Sequence, residues 1–198
     1  MRKSLWVICV IGLGLFGERA YAQVPGIDLH IGARVGYFTP LGIVGEDASD
    51  RESKISQGPA FGASIELDLP ASPINLRANV DATFGRSVEV EGLEVPGTEV
   101  DLIVLTADLV FRPVPRLVLA QPYLLLGAGI KKYSTDGAFE DDPDFTGHLG
   151  AGADLSLGVV SLMVEVSDYI SSLQPVDGGD SRLQNDVFMM VGFRIGIL

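Results

Sequence analysis

Apolar and polar residues alternate one by one along most of this chain. The stretch INLRANVDATF, residues 74–84, shows this most clearly, since its even positions from Leu76 to Phe84 are apolar and its odd positions from Asn75 to Thr83 are polar. A strict period of two predicts a β-strand with one face in an apolar environment. The same reasoning predicts eight strands and no helix, with the strands at roughly 27–39, 58–69, 74–90, 99–112, 121–134, 146–157, 160–173 and 186–197.

The predicted connections differ in length from one end of the strands to the other. Residues 40–57, 135–145 and 174–185 are long connections, 91–98 is of medium length, and 70–73 and 158–159 are tight. Long loops at one end and short turns at the other are typical of an up-and-down membrane β-barrel. We find no internal repeat, linker or second domain.

The N-terminal segment has the features of a secretory signal peptide. A basic start at Arg2 and Lys3 precedes an apolar run of thirteen residues, Leu5 to Gly17, and Ala20-Tyr21-Ala22 forms a small-residue cleavage pattern. We therefore predict cleavage after Ala22, a signal peptide at 1–22 and one domain at 23–198. The G-x-G-x-x-G match at residues 12–17 falls inside this segment, without the strand–helix context that a dinucleotide site needs.

Composition narrows the class further. Without Arg2, Lys3, Glu18 and Arg19, the 14 basic and 26 acidic residues become 11 and 25, a net charge of −14 that disfavours nucleic acid. Cys9 is the single cysteine and lies in the leader, so the mature domain has no disulfide. Mean hydropathy is +0.32, yet no later apolar run reaches the length of a membrane helix. These features favour strands whose apolar residues occupy alternate positions.

Alternation alone leaves open which face is inside, because a soluble lipocalin-like barrel has an apolar lumen. Three features favour the opposite arrangement, with the polar face inside. The polar face mixes charges with many glycines, which suits a crowded lumen, and it carries almost no lysine, unlike a solvated surface. Aromatic residues near strand ends resemble interfacial girdles; they are Tyr37, Phe61, Phe84, Phe111, Tyr123, Tyr133, Tyr169 and Phe193.

We therefore predict an eight-stranded antiparallel transmembrane β-barrel whose lumen holds an ionic network. Charges in so narrow a space must be paired, because an unpaired one costs several kcal/mol. The predicted network consists of Arg34, Glu66, Arg77, Asp81, Asp108, Asp154, Glu165 and Arg194.

The mature chain resembles the small OmpA/OmpX-type outer-membrane β-barrels. The residues that carry the resemblance are QPYLLLGAGIKKY (121–133), HLGAGADLSLG (148–158), LMVEVSDYIS (162–171) and VFMMVGFRIGIL (187–198). The resemblance implies a Gram-negative-type outer membrane as the location, with outer-membrane lipids and the barrel-assembly machinery as partners.

The sequence gives only weak signals for catalysis and for metal binding. The two histidines, His30 and His148, lack a nearby Ser/acid pattern on the same strand, so we predict no enzyme and no cofactor. Acidic loops could bind a divalent cation through oxygen ligands, and Asp141, Asp142 and Asp144 are weak candidates. The predicted role is structural or surface-interacting, with a plugged lumen, acidic loops turned outward and an extracellular partner that the sequence does not name. The alternatives are a narrow channel and a soluble periplasmic lipocalin-like binder.

Overall fold

The computed structural model describes residues 28–42, 45–46, 52–69, 72–90, 93–114, 119–135, 143–173 and 182–197. The predicted signal peptide lies outside these residues. Eight long strands are β1 Asp28–Pro40, β4 Gly58–Asp68, β5 Ile74–Val90, β6 Leu93–Phe111, β7 Ala120–Thr135, β8 Asp144–Leu157, β9 Val160–Leu173 and β10 Arg182–Gly196. Two short strands, β2 Gly45–Glu46 and β3 Glu52–Ile55, extend the edge of β5. Within the described ranges, no helix has the length and apolarity needed to cross a membrane.

The eight long strands form a closed antiparallel ring. Each strand pairs with the next long strand along the chain, and β1 pairs with β10 through the register Ile31 to Ile195. The predicted eight-stranded up-and-down β-barrel is therefore confirmed. Closure gives every strand two neighbours, which leaves no open sheet edge in the wall.

The register determines how the strands tilt. One row of cross-strand partners starts on β9, passes around the barrel and returns to β9; it runs Ile170, Gly147, Ala128, Ala107, Ala78, Ile65, Ile31, Ile195 and Val160. The row thus returns to β9 at Val160, ten positions from Ile170. Such a stagger accompanies strands tilted by about 35–45° to the barrel axis.

The two ends of the barrel differ in their connections. We call the end that carries segments 41–57, 91–92, 136–143 and 174–181 the upper end. The lower end carries the short segments 69–73 and 158–159, segment 112–119 and both ends of the described chain, at Asp28 and Ile197. The tight turn at 158–159 contains Gly158 with φ of 81°, a conformation that glycine adopts without steric cost.

The hairpin between β5 and β6 is longer than the sequence predicted. We expected a loop at 91–98, but β6 already begins at Leu93, which pairs with Val90. A β-bulge with Gly85 at φ 63° shifts the register of this hairpin between Thr83 and Arg86. Because of the extra residue, the inward positions of β5 change from odd, ending at Thr83, to even at Val88.

The two faces of the wall have opposite chemistry. Along β5, Leu76, Ala78 and Val80 are exposed on the outside, whereas Arg77 and Asp81 are buried inside. The other long strands repeat the pattern, and exposed apolar residues encircle the barrel.

The aromatic girdle was predicted only in part. Five of the eight residues are exposed on the outer face, namely Tyr37, Phe61, Phe84, Phe111 and Phe193. The prediction was wrong for Tyr123, Tyr133 and Tyr169, which are buried inside the barrel. These tyrosines occupy the odd, inward positions of β7 and β9, where their hydroxyl groups find carboxylate acceptors.

Candidate functional site

The lumen holds the densest set of interacting polar groups in the described chain. All eight residues of the predicted network have buried side chains there; they are Arg34, Glu66, Arg77, Asp81, Asp108, Asp154, Glu165 and Arg194. They project from the inward positions of β1, β4, β5, β6, β8, β9 and β10. Successive residues of a strand point to opposite faces, so alternate positions on each strand converge inside the barrel.

At the lower end, arginines surround Glu66. Its carboxylate lies 3.0 Å from Arg77 Nε, 2.5 Å from Arg112 Nη1 and 2.9 Å from Arg194 Nη1. Asp154 pairs with two of these arginines through their other terminal nitrogens, at 2.9 Å from Arg112 Nη2 and 3.0 Å from Arg194 Nη2. Two carboxylates thus share two forked guanidinium groups, a geometry suited to charge-assisted hydrogen bonds.

In the middle of the lumen, Arg34 connects strands from opposite sides of the ring. Its Nε and Nη2 donate to both oxygens of Asp81 at 3.0 and 2.7 Å, and its Nη1 donates to Glu165 at 2.8 Å. The other oxygen of Glu165 accepts from Arg77 Nη1 at 2.6 Å and from the Tyr123 hydroxyl at 2.9 Å. Glu165 therefore joins the middle of the network to its lower part.

Next to this centre, His148 and Asp108 form a buried pair. His148 Nδ1 lies 2.7 Å from Asp108 Oδ1, and the imidazole stacks on Tyr169 with ring centroids 4.3 Å apart. The Tyr169 hydroxyl donates to Asp81, and the Asn79 amide donates to Asp108. The aromatic rings thus occupy lumen volume while their polar atoms remain hydrogen-bonded.

Towards the upper end, a single ion pair gives way to an apolar cluster. Lys131 Nζ lies 2.6 Å from Asp186, which also accepts from the Tyr133 hydroxyl and from Gln184 Nε2. Inward apolar side chains pack around and above this pair; they include Phe38, Ile55, Val88, Leu102, Val104, Phe188 and Met190. The upper lumen is therefore a small hydrophobic core instead of a continuation of the charged network.

Glycines on the inner wall leave the space that the long side chains occupy. A Cβ atom at Gly62 would lie 2.0 Å from Asp81 Oδ1, and one at Gly127 would lie 1.8 Å from Asp108 Oδ1. Both positions therefore require the absence of a side chain. Small residues beside long charged ones allow an eight-stranded lumen to be filled.

The predicted set was incomplete. The sequence analysis left Arg112 out of the network, and it missed Lys131 and Asp186 as an ion pair. Position parity would have found them, because Arg112 follows Asp108 at an even spacing, Lys131 shares the parity of the inner-wall Gly127, and Asp186 shares that of Arg194. The apolar neighbours on both faces of β7 concealed this signal for Lys131.

The histidines do not form a nucleophile–base–acid relay with described residues. In such a relay one ring nitrogen contacts the nucleophile and the other contacts the acid. In the lumen both Asp108 at 2.7 Å and the Thr106 hydroxyl at 3.5 Å contact the same nitrogen, His148 Nδ1. His30 instead lies at the lower end, with Nε2 3.0 Å from Asp68.

Among the described residues, no group of three or more His, Cys, Asp or Glu side chains is arranged to hold a metal ion. Of the loop candidates, Asp144 is the first residue of β8. Asp141 and Asp142 lie outside the described residues.

Comparison with solved structures relates the barrel to outer-membrane proteins by fold. OprG from Pseudomonas aeruginosa matches with a TM-score of 0.59 and 13% identity, over 87% of this chain and 96% of that one. A major outer membrane protein from Thermus thermophilus gives 0.58 and 11% over 87% and 100%, and Neisserial surface protein A gives 0.54 and 13% over 86% and 98%. No protein-family profile and no curated protein matches the chain. The fold is therefore that of the small outer-membrane β-barrels.

Proposed function

We propose that this protein is a bacterial outer-membrane β-barrel with a structural or surface-interaction role, a plugged lumen and its upper loops turned to the cell exterior. One observation carries the proposal: the charges are buried inside the barrel and the apolar side chains are exposed on its outside. A water-soluble protein has the reverse arrangement, and it rarely exposes a contiguous apolar surface of this extent.

The energetics support a hydrocarbon environment for the outer face. Exposed Ile31, Val35, Leu105, Leu124 and Val191 represent four different strands of the ring. In water such a band would associate with other apolar surfaces, whereas in a bilayer it matches the solvent. A closed barrel also pairs the backbone N–H and C=O groups of its wall, as hydrocarbon requires.

The fold and the predicted leader together support the proposed location. The comparison structures are outer-membrane proteins, and the predicted signal peptide would direct export. With an even number of strands, both ends of the described chain, Asp28 and Ile197, lie at the lower end, which we assign to the periplasm. Short turns face the periplasm and longer loops face outward in barrels of this kind.

The lumen network favours a plugged lumen rather than an open channel. Arg34 and Glu165 meet at 2.8 Å across the centre, and Tyr123 and Tyr169 fill the space beside them. Eight strands enclose a space just wide enough for side chains. We therefore propose that the outer surface and the loops, and not the lumen, carry the interactions of the protein, with membrane lipids and the assembly machinery as partners.

The test is expression of the full chain followed by fractionation and electrophoresis with and without boiling. We expect the protein in the outer-membrane fraction, with a mobility that changes on boiling because a closed barrel resists detergent. A soluble periplasmic protein whose mobility is unaffected by boiling would overturn the proposal and favour the lipocalin-like alternative.

A further inference from the structure

A groove runs obliquely across the outer wall from β8 to β5. Its floor consists of four small residues that are direct cross-strand neighbours: Gly147, Ala128, Ala107 and Ala78. Isoleucines stand at both ends of this row, Ile170 on β9 and Ile65 on β4. The rest of the same row around the barrel is bulky, so the depression belongs to this side of the wall.

Two ridges of larger side chains flank the floor. Two residues below it along each strand lie Leu76, Leu109, Leu126 and Leu149, and two residues above it lie Val80, Leu105, Ile130 and Phe145. All eight side chains are exposed. At its lower end the groove widens into an open depression of about 340 Å³, lined by Ile65, Leu67, Leu76, Ala78, Ala107 and Leu109.

The groove descends from the upper rim towards the middle of the wall. The row that forms its floor begins at Ile170, near the upper end of β9, and returns to that strand at Val160, its lowest residue. Each step from β8 towards β5 therefore lowers the floor. Three interstrand steps of about 4.8 Å make the floor about 14 Å long.

A cation lies above the upper part of the groove. Lys132 is exposed on the outer face of β7, two residues above Ile130 and four above Ala128. Within the described part of the chain, it forms no ion pair. A lysine at this height can place its ammonium group in the headgroup region while its stem covers apolar surface.

We propose that this groove seats one acyl chain of an anionic, phosphate-bearing membrane lipid that enters from the upper side of the bilayer, with the lipid phosphate on Lys132. The inference rests on the proposed function, because it needs the outer face to be in a membrane. A second barrel would fit the groove poorly, since a convex wall reaches the ridges before the floor. A single hydrocarbon chain is narrow enough to lie between them, and its path from a charged headgroup down to mid-bilayer follows the descent of the floor.

The experiment uses fluorescence quenching by brominated lipids. The mature chain from Gln23 lacks tryptophan, because Trp6 is the single tryptophan of the sequence. Leu109→Trp places a reporter on the lower ridge, and Val191→Trp places one on the opposite wall. Each variant is folded into phosphatidylcholine vesicles containing phosphatidylglycerol, with bromine on the acyl chains of one lipid or the other.

At the groove reporter we expect phosphatidylglycerol to be preferred over phosphatidylcholine about five-fold, the ratio that corresponds to about 1 kcal/mol for one lysine near an anionic lipid. Lys132→Gln should remove the preference. Ala107→Phe, which fills the floor, should reduce quenching at the groove reporter, whereas Val35→Phe on the opposite wall should leave it unchanged. Leu126→Trp serves as a second groove reporter if Leu109→Trp does not fold.

The groove proposal would be overturned if both reporters showed the same lipid preference, or if the groove reporter showed none. If the mobility of that barrel still changed on boiling, the outer-membrane proposal would remain intact. The proposal would also be overturned if Lys132→Gln removed the phosphatidylglycerol preference but Ala107→Phe left quenching at the groove reporter unchanged. The headgroup alone would then be bound. A chain that never shows the mobility change in any vesicle would instead contradict the proposed function.

Discussion

Arg34 and Glu165 lie 131 residues apart in the chain, and their side chains meet at 2.8 Å in the centre of the barrel. Arg34 projects from β1 and Glu165 from β9, with β10 between them in the ring. The second oxygen of Glu165 contacts Arg77 on β5 and Tyr123 on β7, so one carboxylate holds side chains from three other strands. Removal of this carboxylate should therefore affect the whole lumen.

Glu165→Gln should destabilise the folded barrel by about 3–5 kcal/mol, because it leaves Arg34 and Arg77 buried with too little negative charge. The measurement is equilibrium urea unfolding in detergent or vesicles. Glu99→Gln is the matched control, since Glu99 is exposed near the upper end, and it should change stability by less than about 0.5 kcal/mol. Equal effects of the two substitutions would contradict the assignment of Glu165 as the centre of the network.

Neutralisation of Glu66 should cost more stability than neutralisation of Asp154. Glu66 faces three guanidinium groups, from Arg77, Arg112 and Arg194, whereas Asp154 faces only the last two. Urea unfolding of Glu66→Gln and Asp154→Asn, in parallel, gives the comparison. A larger loss for Asp154→Asn would mean that the lower layer is organised differently.

Gly127→Ala should destabilise the barrel by about 1–3 kcal/mol, the usual cost of overpacking. The new methyl group would lie 1.8 Å from Asp108 Oδ1 and would displace the carboxylate that His148 contacts. Gly147→Ala is the control, because the nearest atom to its new methyl group is 3.8 Å away. Similar unfolding midpoints for the two variants would contradict the tight fit of the inner wall.

An arginine on the outer face should be costly only within the apolar band. Leu109→Arg should reduce the stability of the folded barrel in vesicles by about 2–4 kcal/mol, because the charge would face hydrocarbon. Leu93→Arg, at the tip of the β5–β6 hairpin above the band, should have little effect. If both variants were equally stable, the outer face would not be in contact with lipid.

Purified protein in a planar bilayer should show no steady ionic conductance. The lumen is filled from Glu66 to Phe188 by paired charges, tyrosines and the upper apolar cluster. Single-channel recording over a range of voltages is the measurement, with a known porin in the same bilayer as the positive control. Reproducible open levels in the absence of that porin would favour the narrow-channel alternative.

Much of the wall could be predicted from the sequence, since it depends on neighbouring residues only. The alternation from Leu76 to Phe84 predicts both the strand and its two faces, and the charges of Arg77 and Asp81 predict the inward side. The upper hairpin was harder: the end of β5 at Val90 was predicted, but the start of β6 at Leu93 was not, and the bulge at Gly85 changes the parity of β5 within this hairpin.

The candidate site was predicted as a set of residues but not as a set of contacts. Parity places Arg34, Asp81 and Glu165 inside, yet nothing local indicates that one arginine meets both carboxylates. Tyr123, Tyr133 and Tyr169 were assigned to the outside because aromatic residues near strand ends are common at membrane interfaces. Their inward position depends on hydroxyl acceptors that other strands supply.

The sequence by itself therefore determines that the wall is built of β-strands, because a period of two is a property of each strand alone. It also determines the chemistry of each face, since neighbouring side chains point to opposite sides. Only the tertiary structure decides the ten-residue stagger, the partners of each buried charge and the groove that crosses four strands. These features arise from the register between strands, which brings together residues that are distant in the chain.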